Sequence, residues 1–271
     1  MEHDEIELHP EYIRLINKYN TMREEFVKLI EQREHIIVSE IPTLDSEYKV
    51  KIGGVQYQCF NLEIEVLAIK REIKLRQAAL NRGIEIIDDS EIKDQIEKEL
   101  EQWREKVNEM KEEFLNAKKY LNIPYLSDED AIEFKKLYRD LVKKLHPDVI
   151  ENVTNEKELL WFRVQEAYKL GDIEELKSIY LLSNDIDDEV KTNTKSENVL
   201  VALEKKISEL EKSIFNIIEQ IKNLNSKFPM NLKYKLRDIN WVKSANSDIN
   251  NKIIDLNKEK KVAEAILMEF K

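Results

Sequence analysis

The stretch Leu100-Glu-Gln-Trp103-Arg-Glu-Lys-Val107-Asn-Glu-Met110-Lys-Glu-Glu-Phe114-Leu-Asn-Ala117-Lys-Lys-Tyr-Leu121 decides the fold class. Its apolar residues Leu100, Trp103, Val107, Met110, Phe114, Ala117 and Leu121 step alternately by three and four. That spacing lays a narrow stripe along one helical face, as in the seam of a coiled coil, whereas a strand alternates every second residue. Tyr12, Leu15, Tyr19, Met22, Phe26 and Leu29 keep the same rhythm, and so do Cys59, Leu62, Val66, Ile69 and Ile73. The spacing predicts long helices near 9–39, 54–82 and 90–122. Their short connections imply antiparallel packing.

Punctuation falls between these runs. Ile41-Pro42 should end the first helix, because proline disfavours helical geometry in the residue before it. Gly53-Gly54 should free the backbone ahead of the second, and Tyr48-Lys49-Val50-Lys51-Ile52 alternates like a short ribbon, though one too short to stand alone. Asn81-Arg82-Gly83 reads as a C-terminal cap, with Gly83 able to take the left-handed conformation. Asp88 and Asp89 suit the positive end of the next helix. Farther on, Leu200, Leu203, Ile207, Leu210, Ile214, Ile217, Ile221, Leu224 and Phe228 resume the rhythm, Pro229 marks a turn, and Ile239 to Phe270 continue it. Asn246 and Lys260 are polar seam positions, which cost stability but fix register. An antiparallel hairpin is the simplest reading. The same stripe would also serve a partner chain, as in a homodimer.

Composition narrows the functions. The chain has 271 residues, with 55 acidic against 44 basic side chains and a net charge of −11. That balance argues against non-specific nucleic-acid binding; the 14 basic against 11 acidic residues over 196–271 are a weak exception. Glycine numbers 4, where average usage of about 7% would give roughly 19. Barrels, sandwiches and glycine-rich phosphate loops are therefore not expected. Cys59 is the only cysteine, so no internal disulfide or cysteine zinc cluster is expected, and it lies on the inward stripe as a buried thiol. His3, His9, His35 and His146 are scattered, so no metal site and no cofactor are expected. No run of about 18 apolar residues is present, so no membrane span is expected, and the acidic start lacks the apolar run of a signal peptide. No nucleophile–base–orienter set can be assembled, so no catalytic residue is named. Acid pairs such as Glu24/Glu25 and Glu112/Glu113 read as solvated helix faces, and Trp103 and Trp241 as seam residues.

The middle of the chain departs from the seam pattern. Ser127-Asp128-Glu129-Asp130 has the form of a capping box. Phe134, Leu137, Tyr138, Leu141 and Leu145 make one helical face, and His146-Pro147-Asp148 stops that helix. Thr154-Asn155 are candidate caps for a second helix lined by Trp161, Val164, Ala167 and Tyr168. Gly171 ends it, and Asp172 with Glu175 caps a third. Between Phe134 and Leu145 stand five basic residues and one acid, so Lys135, Lys136, Arg139 and Lys143 form a basic outer face in an acidic protein.

The run Phe134 to Asp148, followed by Trp161-x-x-Val164-x-x-Ala167-Tyr168, resembles helix II, the His-Pro-Asp loop and helix III of a J-domain, the co-chaperone module of DnaJ or Hsp40 proteins. The resemblance covers about 60 of the 271 residues. It implies that His146, Pro147 and Asp148, with the basic face of Lys135, Lys136, Arg139 and Lys143, meet a DnaK-type Hsp70 and stimulate its ATP hydrolysis. Pro147 would stiffen the tip so that His146 and Asp148 project. The chain departs from the family at Val149-Ile150, where a basic residue and asparagine are usual, and Asp140 interrupts the basic face. Tyr120-Leu121-Asn122-Ile123 matches the end of the first family helix only loosely, with the helix ending near Leu121 expected to run into that role.

The resulting expectation is an all-α chain of long antiparallel coiled-coil helices with a small central J-like module. Its parts are an N-terminal helical coiled coil over 1–122, a J-like domain over 123–183, a linker over 184–196 and a C-terminal helical hairpin over 197–271. The expected function is that of a cytoplasmic Hsp70 co-chaperone or adaptor, not itself an enzyme, whose coiled coils choose a client that the sequence does not name. The alternative is a structural coiled-coil scaffold whose J-like module no longer couples to Hsp70.

Overall fold

The computed structural model of the chain describes residues 10–83, 88–122, 127–150, 152–184 and 198–270. These residues are all-α, and no strand occurs among them. In chain order the elements are α1 (Pro10–His35), a π-helical turn (Ile36–Glu40), α2 (Ile41–Tyr48), a second π turn (Lys49–Gly53), α3 (Gly54–Asn81), α4 (Asp89–Leu121), α5 (Asp128–Leu145), α6 (Asn155–Leu170), α7 (Ile173–Asn184), α8 (Asn198–Ser226) and α9 (Ile239–Met268). Short 3₁₀ turns at Met230–Leu232 and Lys235–Arg237 precede α9. The expected linker lies outside the described residues, apart from Asn184 at the end of α7.

The caps fall where the sequence places them. The Asp88 side chain accepts from the Ser90 amide, Ser127 accepts from the Asp130 amide and donates to its carboxylate, and Thr154 accepts from the Lys157 amide. Gly83 and Gly171 take positive φ values of 76° and 70°. At Gly171 the Asp172 amide returns to the Ala167 carbonyl, closing α6, and the Asp172 carboxylate then accepts from the Glu175 amide to open α7.

The expected stops at Pro42 and Gly53-Gly54 are not stops, and no ribbon forms. Helical bonding runs on through both, each behind a π turn. The Ile41 amide donates five residues back to Ile36, immediately before the proline that has no donor to offer. A wider turn there eases the clash between the ring and the carbonyl four residues earlier. The Gly54 amide likewise reaches back to Lys49. Gly54 has ordinary helical angles; its smallness serves packing, since a Cβ there would lie 2.7 Å from the Phe114 ring of α4.

The chain forms two compact units, Met1–Pro42 with Ile123–Asn231, and Thr43–Asn122 with Leu232–Lys271. This division differs from the expected order of domains. In the second unit α3 and α4 are antiparallel, as expected: Phe60 meets Trp103 edge-on, Arg71 pairs with Glu99 and Arg76 with Asp89. Trp103 remains about half exposed rather than enclosed in a seam. Helix α9 runs parallel to α3, tied by Lys252–Glu63, Lys260–Glu65 and Lys70–Glu259. Asn246 is buried in this packing and donates to the Lys51 carbonyl in the π turn. Cys59 is buried, and burial pushes its thiol above the ordinary value.

In the first unit α8 runs parallel to α1. Leu15 packs with Leu203 and Ile207, Lys18 pairs with Glu211 at 2.9 Å, and Arg33 donates to Gln220. The expected hairpin of α8 with α9 is thus replaced by two parallel pairings, each with a helix from the N-terminal third. Leucine and isoleucine stripes do not encode which stripe they meet. Helices α5 and α6 are antiparallel, and α7 packs on both. Helix α4, expected to run into the J-like module, belongs to the second unit.

Candidate docking site

The core beneath the site is aromatic. Phe134 stacks on Tyr168 with ring centroids 5.0 Å apart, and Tyr138 lies against Tyr168 at 3.9 Å and Trp161 at 6.0 Å. Tyr138, Leu141, Val142, Val164, Leu176 and Ile179 have no exposed surface, and Leu145 almost none. The apolar face anticipated on α5 is therefore inward, except that Leu137 is only half-buried and Val142 joins the core. Aromatic side chains bury the most surface per residue, which lets three short helices enclose a core. Burial, with the negative charge of Glu34, pushes the Tyr138 phenol far above its ordinary value, and its hydroxyl has no hydrogen-bond partner. Burial raises Tyr168 to about 12, and its hydroxyl lies 2.9 Å from His35 Nδ1.

His146-Pro147-Asp148 follows α5 directly. The Val149 and Ile150 amides both return to the His146 carbonyl, making a tight turn. His146 does not project: it is 3% exposed, with its ring edge-on to Trp161 at 4.7 Å. Its Nδ1 accepts from the Asp148 amide at 2.9 Å, which places the proton of the neutral ring on Nε2. That nitrogen faces α1, with Glu34 Oε1 at 3.6 Å and Arg33 Nη2 at 3.2 Å. The same Arg33 Nη2 pairs with Asp148 Oδ2 at 3.0 Å and with Glu34 Oε1 at 2.8 Å. Gln165 of α6 donates to the other Glu34 oxygen at 3.1 Å. Burial alone would raise the Glu34 carboxyl, but His146 and Arg33 hold it below the usual carboxylate value.

The basic face of α5 is also partly occupied by its own chain. Arg139 donates to Glu31 at 2.8 Å and Lys143 to Glu24 at 3.0 Å, both acids lying on α1. Glu24, expected to be merely solvated, is held below its ordinary value chiefly by the hydrogen bond from Lys143. Lys135 and Lys136 remain exposed. Asp148 is half exposed through its side chain and is the most accessible member of the His-Pro-Asp triplet.

The structure thus gathers His146, Asp148, Arg139 and Lys143 along α1, keeps Pro147 half-buried between the first two, and leaves Lys135 and Lys136 in solvent. Sequence reading missed Glu24, Glu31, Arg33, Glu34, Gln165 and Gln220 as participants. The signal was a second stripe on α1: Val27, Ile30 and Glu34 keep the three-four step one residue out of phase with Phe26 and Leu29, and all three are buried. Arg139 and Lys143 have carboxylate partners on α1, and the His146 imidazole is enclosed. Among the described residues, no group of histidine, cysteine and carboxylates could hold a metal ion, and no helix is long and apolar enough to cross a membrane. Compared with protein-family models, curated proteins and solved structures, the chain finds no match.

Proposed function

We propose that the chain is a cytosolic Hsp70 co-chaperone or adaptor that engages a DnaK-type Hsp70 through Pro147, Asp148 and the basic face of α5. The observation that carries this reading is the antiparallel α5–α6 pair, one helix basic on its outer face, joined by a turn that holds His-Pro-Asp at its start. Lys135, Lys136, Arg139 and Lys143 would contact an acidic surface, and His146 would set the geometry of the turn from beneath. ATP hydrolysis would belong to the partner, and other surfaces of the chain would choose the client. The test is single-turnover ATP hydrolysis by the host Hsp70 in the presence of the full chain. Asp148→Asn should remove stimulation while changing stability by less than about 1 kcal/mol, since the side chain is half exposed. Equal stimulation by Asp148→Asn would overturn the reading.

A second reading is favoured by the burial of His146 among Arg33, Glu34, Trp161 and Gln165. There the triplet is an internal joint between α1 and the α5–α6 turn, and the protein is a helical scaffold. Under either reading His146→Gln should destabilise the first unit, so it is not a clean probe of Hsp70 coupling.

A further inference from the structure

We infer that α1 is a built-in competitor for the docking face, so that the first unit holds its His-Pro-Asp turn and basic helix in a closed state. This rests on the docking reading above. Helix α1 meets the proposed face charge for charge: Glu24 takes Lys143, Glu31 takes Arg139, and Arg33 takes Asp148. A partner that uses Lys143, Arg139 and Asp148 must first displace those three side chains.

The helix itself is held by its buried side chains Val27, Ile30 and Glu34, so what competes is its surface carboxylates, and these are displaceable. The two pairs over the basic face reach the surface: the Lys143 and Glu24 side chains are 37% and 58% exposed, and Arg139 is 49% exposed against 19% for Glu31. Such pairs hold weakly and are screened by salt. Lys135 and Lys136 stay open in the closed state and give an acidic partner its first landing point. The seam of α1 with α8, made by Leu15 with Leu203 and Ile207 and by the Arg33–Gln220 bond, does not involve Glu24 or Glu31 and need not open.

The test compares Hsp70 stimulation by the full chain with that of Glu24→Lys/Glu31→Lys, which turns both attractions into repulsions. The concentration of chain giving half-maximal stimulation should fall about tenfold in the variant. Asp148→Asn added to the variant should abolish the effect. Should the lysine pair disturb folding, as read by Trp161 fluorescence, Glu24→Gln/Glu31→Gln decides: it keeps the side-chain shapes, removes the attraction, and should give a smaller shift in the same direction. Stimulation that is present but equal in the unmodified chain and the glutamine pair overturns the competitor and leaves the docking reading standing. Absence of stimulation from every form with every Hsp70 of the host overturns the docking reading, and the competitor with it.

Discussion

In the first unit, Glu34 and His146 are 4% and 3% exposed, and Arg33 bridges them to Asp148. In the second, pairs such as Lys260–Glu65 and Lys70–Glu259 sit at 30–45% side-chain exposure, around an interior of Ile52, Cys59, Ile64, Val66, Ile96 and Val107. Arg76 is the exception there: it is buried and pairs with Glu72, 17% exposed, as well as with Asp89, 64% exposed. Both units pair a helix from the N-terminal third with a parallel helix from the C-terminal end. They differ in what ions do. A buried ion that loses its partner cannot turn to water, so the network in the first unit fixes one geometry for the turn after α5. Ions at the surface of the second unit exchange their partners for water at little cost.

The largest effect should follow from emptying the buried network. Glu34→Ala leaves Arg33 and His146 without their shared acceptor and should destabilise the first unit by about 3–5 kcal/mol. Urea unfolding followed through Trp161, with Trp103 and Trp241 replaced by phenylalanine, would report it. A loss below about 1 kcal/mol would erase the contrast between the units. The same carboxylate should set an acid limit. Its folded pKa lies below the ordinary 4.5, so its contribution is present above that value and is lost as pH falls through the folded pKa. The first unit should weaken from about pH 4.5 downward, and Glu34→Gln should flatten that slope in thermal melts.

Next in size is a packing change in the second unit. Gly54→Ala drives a methyl group toward the Phe114 ring and should cost about 1–3 kcal/mol. Adding Phe114→Leu should return part of that, and an unchanged melting temperature in Gly54→Ala would show that α3 and α4 tolerate the methyl by shifting. The smallest effect belongs to the surface. Lys260→Ala, which removes the pair with Glu65, should cost no more than about 1 kcal/mol, and a larger loss in calorimetry would mean that the second unit also relies on its charges.

Helices, caps and inward faces were legible because each depends on a few neighbouring residues. Ser127, Thr154, Gly83 and Gly171 act within one turn of the chain, and Tyr138 and Leu141 follow from spacing alone. Continuity through Pro42 and Gly53-Gly54 was not legible. A π turn changes bonding register without changing composition, and a glycine kept small for Phe114 reads the same as one kept flexible for a bend. Pairing of α8 with α1 and of α9 with α3 was hidden because every stripe of leucine and isoleucine offers the same surface. At the candidate site the sequence marked the triplet and the basic helix. It did not mark α1 as their cover, because Glu24 and Glu31 look like any solvated acids until Lys143 and Arg139, more than a hundred positions later, come beside them.

The parallel seams set a timetable for synthesis. Lys18 and Glu211 are 193 positions apart, and Lys70 and Glu259 are 189 apart. At roughly 5–20 residues per second, α1 and α3 emerge some 10–40 s before the helices that cover their stripes. Helices α5–α7, whose contacts are local, can close in that interval. The growing chain therefore carries one uncovered apolar stripe on each of α1 and α3 until its last quarter is made, and a chain cut short after α7 would keep both stripes uncovered. Loss of the C-terminal helices should register first as association and aggregation of the truncated chain, before any loss of helix content in α5–α7.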